Sequence, residues 1–304
     1  MGLRRTATVL LTLAVTSASF ATTAAQAAKH PDGMSIHAGG PHGQVVAHQA
    51  HTTAGARHGG SPNMTSHGGG IMVTSDVTPI FWGKGWANSA FTGDKKNGIA
   101  SFYGGYDGSN YAKASDEYIG SNGQVGPSLT LRGSLTDTSS SLTKTPSTTT
   151  ILGEVAKEIS NPVANGYYPV YTDLPRGNAG YCAWHSWGTI GSVPVQFAFF
   201  FNLDGDAGCD PGDNSGLHSQ GLAALANVSA HELSEARTDP RGDGWFDNSG
   251  AENGDKCAWT FHVPLVSFSN GSQWMVQGEW SNAAYNGGTG YANSSGQKGC
   301  VDGH

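Results

Sequence analysis

The stretch Ser229 to Pro240, "SAHELSEARTDP", decides how this chain is read. It continues "GLAALANVSAHELSEA", in which Leu222, Leu225, Ala226 and Ser229 recur at helical spacing, so a helix with one apolar face is expected. Residues four apart share a helix face, which sets His231 beside Glu235 with Glu232 projecting next to them. Imidazole and carboxylate bind zinc at similar distances, so His231 and Glu235 are candidate metal ligands and Glu232 a candidate general base for water. The H-E-x-x-H motif has a second histidine where this chain has Glu235. That carboxylate adds negative charge, weakens the pull of a cation on water, and admits calcium as an alternative to zinc. The competing expectation is an ordinary helix, whose buried ionisable groups would then need partners.

Catalytic zinc commonly takes three protein ligands, so a third must come from elsewhere. The turn-rich segment "GWFDNSGAENGDKCAW" (244–259) follows the helix closely and offers Asp247, Glu252 and Asp255.

Arg4 and Arg5 lead into an apolar run ending near Phe20 and then into Ala24-Ala25-Gln26-Ala27-Ala28. This reads as a secretory signal peptide over 1–27, too short to span a membrane, and predicts an exported protein without a membrane span. Removing its two positive charges moves the formal net charge from -7 to about -9, which makes nucleic acid an unsuitable partner. Four cysteines in an oxidising compartment imply two disulfides. Three pairings are open, of which Cys182 with Cys209 and Cys257 with Cys300 close loops of moderate length. Residues 28–70 carry seven of the twelve histidines among Gly, Ser and Thr, with few large apolar side chains. A disordered leader that folding does not need is expected there, and a single globular domain over 71–304.

Within that domain "IMVTSDVTPIFWG", "GYYPVYTDL" and "VPVQFAFFFNL" read as strands, the last dense enough to be buried on both faces. "CAWTFHV" and "QWMVQGEW" are shorter strand candidates, and "TILGEVAKEIS" spaces Ile151, Val155 and Ile159 as a helix. His185, in "YCAWHSWG", is expected to pack among aromatics, and Cys182 to be a disulfide partner rather than a nucleophile. Asp204, Asp206, Asp210 and Asp213 form an acidic loop without the closing glutamate of an EF-hand; a turn held by Cys209 is expected over a calcium loop. Trp245, Trp259, Trp274 and Trp280 are expected in the core rather than on a carbohydrate-binding face. No G-x-S-x-G elbow and no phosphate-binding glycine loop occur, which argues against a serine hydrolase or a nucleotide enzyme.

Two resemblances add expectations. "NSGAEN" (248–253) is similar to the segment that supplies the third zinc ligand in thermolysin-like peptidases, which implies that role for Glu252. Over a longer span, "GGIMVTSDVTPIFWG", "LGEVAKEI", "YCAWHSWG", "AHELSEARTDP" and "GWFDNSGAENGDKCAW" resemble, in that order, the exordium or phosphate-induced protein family. That resemblance implies an extracellular protein, and the His-rich leader departs from the plant pattern. The expected fold is α/β or α+β: one zincin-like domain with a mixed sheet, an active-site-type helix and a disulfide-stabilised C-terminal half. Two functions follow as expectations. One is a secreted, zinc-dependent hydrolase acting on a peptide or protein substrate. The other is a non-enzymatic binding protein of an extracellular wall polymer, with a structural ion.

Overall fold

The computed structural model describes the backbone of residues 27–29 and all of residues 35–47 and 61–304; the signal-peptide expectation falls almost wholly outside them. A mixed sheet of ten strands forms the centre. Its long members are β8 (Gly166–Pro175), β9 (Tyr181–Ile190) and β10 (Val193–Asn202), after the shorter β4 (Ser75–Val77), β5 (Ile80–Trp82), β6 (Leu129–Leu131) and β7 (Leu135–Asp137). β10 lies between β9, antiparallel to it, and β8, parallel to it. Both faces of β10 are covered from Val195 to Phe201, which is why its sequence is an unbroken apolar run rather than an alternation. β8 continues into parallel pairs with β4 and β5, and these with β6 and β7. The expected strand at 71–83 is thus two short ones divided at Thr78 and Pro79, where proline removes a ladder donor.

Three helices cover the sheet: α1 (Lys95–Tyr106), α2 (Thr148–Glu158) and α3 (Gln220–Thr238). Gly188 and His185 are an odd number of positions apart on β9 and point to opposite faces. A Cβ at Gly188 would lie 2.5 Å from Leu152 of α2, whereas His185 bonds Glu232 of α3, so α2 and α3 lie on opposite sides. α3 begins at Ser219, whose hydroxyl accepts from the Leu222 amide at 3.2 Å, and stops before Pro240. Every residue from Gly221 to Thr238 is buried, so the helix runs through the interior and its ionisable groups meet protein on all sides. This exceeds the single apolar face expected from spacing. Small Ala, Ser and Gly side chains make such close approach feasible; at Gly98 of α1 a Cβ would come within 2.2 Å of Leu222.

Cys182 bonds Cys209 and Cys257 bonds Cys300, the favoured pairing. Trp274 and Trp280 are buried and Trp245 and Trp259 half-buried, so the tryptophans serve packing. The carboxylates of the acidic loop are engaged: Asp204 with Lys95, Asp206 with Arg176, Asp213 with His218, and Asp210 with the Gly212 amide. A turn, not a calcium loop, fits these partners. "CAWTFHV" is no strand either; Cys257 ends the short helix α4 (Asn253–Lys256) and the chain turns onward.

The expected disordered leader at 28–70 is corrected for the described residues. β2 (Ser35–Ala38) and β3 (His42–Val46) both pair antiparallel with β9, and β1 (Ala27–Lys29) pairs with β2. Ile36, Ala38, Val45 and Ala47 are buried, and Met64 is seated with its amide on Asn282 at 2.9 Å. The composition argument asked this segment to supply its own core. An edge strand needs only backbone groups and a few small apolar side chains, because β9 supplies the rest. Among the described residues no helix is long and apolar enough to cross a membrane.

Candidate metal centre

Three elements bring one cluster together beneath β3. α3 supplies His231, Glu232 and Glu235; β9 supplies His185; Glu252 precedes α4 and Asp255 lies within it. Apart from Asp255, which is partly exposed, the side chains are almost completely buried. Two sets of ligand atoms lie close enough to share an ion, His185 with Glu235 and Glu252, and His231 with Glu235 and Asp255. All four ligand candidates of the sequence are thus assembled. The sequence favours packing among aromatics for His185 over a place near the metal, and the structure puts it in the cluster. The signal was present, since His185 sits at an interior position on a strand next to one already read as buried.

The hydrogen bonds distinguish the two sets. Gln277 accepts from the Trp259 amide at 3.1 Å and donates to the Gly254 carbonyl at 2.8 Å, so its amide has one orientation. Its nitrogen then faces His231 Nδ1 at 2.9 Å, and Nδ1 must accept. Neutral His231 therefore carries its proton on Nε2, the nitrogen that lies 2.9 Å from Glu235 Oε1. Glu235 Oε1 accepts from the Asp255 amide at 2.9 Å. On the other side His185 Nδ1 lies 3.1 Å from Glu232 Oε2; with Glu232 ionised, as a bound cation would hold it, Nδ1 carries the proton and the Nε2 lone pair is free. His185 Nε2, Glu235 Oε2 and Glu252 Oε2 are all buried without a hydrogen-bond partner, as is His231 Nε2; His185 Nε2 is 3.8 Å from Glu252 Oε2, and Glu235 Oε2 is 3.7 Å from His185 Nδ1. Unpartnered buried ligand atoms gathered in so small a space suit a cation.

Charge points the same way. Glu232, Glu235, Glu252 and Asp255 are drawn together, and no Lys or Arg forms an ion pair with any of them among the described residues. Burial first, and then the charge of Glu235, hold Glu232 and Glu252 far above the usual carboxylate range. Burial raises Glu235 likewise and pushes Asp255 up to about 7. Burial also lowers His185 and His231, so neither imidazole supplies a compensating positive charge near neutral pH. A divalent cation would reverse the carboxylate shifts and release protons on binding.

No protein-family model, curated protein or solved structure matches the chain.

Proposed function

We propose that this protein is a secreted, metal-dependent hydrolase of zincin-like design, with a peptide or protein as substrate. The observation that carries the proposal is that His185, Glu235 and Glu252 each bring a ligand atom within 4.8 Å of the others in the interior, where His185 Nε2, Glu235 Oε2 and Glu252 Oε2 have no hydrogen-bond partner. Two carboxylates and one imidazole suit zinc, with calcium the weaker candidate because the set includes a nitrogen. Zinc held there would polarise a substrate carbonyl and make a water more acidic. Glu232 holds His185 through Oε2 and keeps Oε1 without a partner, so the same carboxylate can accept a proton. His231 acts through Glu235, where it lies against Oε1, rather than as a ligand in its present tautomer. This revises the expected ligand set of His231, Glu235 and Glu252 or Asp255, with His185 taking the imidazole position. The two disulfides fit an oxidising, extracellular location.

The burial of the cluster favours a second reading, a structural ion in a non-enzymatic extracellular protein. Assay of the zinc-loaded chain against a broad peptide library separates them. Cleavage that is lost in Glu232→Gln while the metal stays bound supports the hydrolase. Absence of cleavage in every form, with the metal retained, supports the structural ion.

A further inference from the structure

The structure assigns residues 35–47 a regulatory role: this edge segment is a latency strand that seals the candidate metal centre and must move aside before a substrate can enter. The inference rests on the hydrolase reading for its consequence, though not for its geometry. β3 passes directly over the cluster. Gly43 has φ of 45°, and a Cβ there would lie 1.9 Å from Glu235 Oε2 and 2.4 Å from His185 Cε1. Only glycine can place the backbone that close in that conformation. Next to it the His42 ring stacks on His185 with centroids 5.7 Å apart, and His42 Nε2 is buried without a partner. Val45 is fully buried and its backbone amide faces the Glu232 carboxylate. The side chains that would react and the chain that covers them are therefore in direct contact.

The attachment of this cover is local. β2 and β3 both pair with the edge of β9, the first at Gly188 to Ile190 and the second at Tyr181 to His185. The register shifts twice along β3, so its ladder is broken rather than continuous. Besides the Val45 amide against the Glu232 carboxylate, its ties include the Gly39 amide on the Trp187 carbonyl, the Ala47 amide on the Gly180 carbonyl, Ser186 on the Gly40 carbonyl and Trp259 on the Val46 carbonyl. Lifting 39–47 breaks these bonds and leaves β8, β9 and β10 paired with one another. A segment bonded on one edge can open locally at less cost than the interior strands.

The test reads His185 directly, on the full metal-free chain, by diethyl pyrocarbonate labelling followed by peptide mass spectrometry. Wild-type His185 should label slowly and the half-exposed His262 quickly. Gly43→Val should speed His185 labelling about tenfold by holding the strand off the cluster. Gly40→Val should change nothing, since a Cβ at Gly40 meets no atom within 4 Å. Equal labelling of His185 in a folded Gly43→Val chain overturns the proposal. Should that variant not fold, amide exchange of the wild type decides. His185 labelling that tracks exchange at Gly39 and Ala47, ahead of β10, supports the latency strand, and labelling only upon global unfolding overturns it. Zinc-loaded Gly43→Val should then cleave peptides faster than wild type. An opened His185 with no cleavage by either form refutes the hydrolase reading and leaves the cover in place.

Discussion

At the scale of single residues, the Gln277 amide determines which histidine keeps a free lone pair, because its two backbone partners leave it one orientation. Replacing Gln277 with Glu removes the donor to His231 Nδ1 and puts an acceptor there, so the His231 proton should move from Nε2 to Nδ1. The expected outcome is a shift in the His231 ring-nitrogen resonances in nitrogen-detected NMR, with His185 unchanged. Glu235→Gln should lower metal affinity about tenfold to a hundredfold or more, whereas Glu232→Gln keeps an oxygen acceptor for His185 and should retain the ion while activity is lost. Equilibrium dialysis with zinc, run beside the peptide assay, checks both. The helix spacing made His231, Glu232 and Glu235 legible in the sequence. The tautomer was not, because it depends on Gln277, forty-six positions away from His231.

At the scale of elements, α3 is anchored at its C-terminal end by a buried arginine. Arg237 donates to the Tyr106 hydroxyl at 2.8 Å, the Ala112 carbonyl at 3.0 Å and the Gly126 carbonyl at 2.7 Å. Tyr106 and Ser115 in turn donate to Glu279, and Asn253, at the start of α4, donates to Ser115. The network thus couples the helix carrying Glu235 to the one beside Glu252. Arg237→Leu strands the Ala112 and Gly126 carbonyls and leaves Asp116 without its partner at 3.9 Å, and should cost about 3–5 kcal/mol in denaturant unfolding. Leu233→Ala, on the same helix and fully buried, should cost about 2–5 kcal/mol through the cavity it leaves. The sequence does not assign β9, whereas α3 and the other two long strands, β8 and β10, could be read there. α1 could not: "KKNGIASFYGGY" contains three glycines and no clean apolar face, and it is held by packing around Ile99, Phe102 and Tyr106. β2 and β3 escaped notice for the converse reason, since what orders them is the free edge of β9 rather than anything in their own composition.

At the scale of the whole molecule, the metal-free protein should lose stability as pH rises from about 6.5 to 8. At the lower end of this window unfolded histidines still bind protons that the lowered His42, His185 and His231 do not, which opposes the fall until the pH passes the ordinary histidine range. The difference then lies in carboxyl groups raised by burial, with Asp255, Glu279 and Glu154 pushed up to about 7 and Glu232, Glu235 and Glu252 also raised. The folded chain binds more protons than the unfolded one in this window, so unfolding free energy falls with pH. Bound zinc should flatten that fall, because it takes the place of the protons on the cluster. Midpoints of thermal unfolding across the window, with and without zinc, report the difference. The mixed α/β class and both disulfide pairs were within reach of the sequence. The burial of the cluster was not, because β3 closes over it from a segment far upstream. The most direct test of the account is the metal content of the purified chain by inductively coupled plasma mass spectrometry, beside His185→Ala and His231→Ala. The account predicts about one zinc per chain in wild type and in His231→Ala, and none in His185→Ala. A wild-type chain that holds no divalent ion even after dialysis against zinc, or an ion lost with His231 and kept without His185, would contradict it.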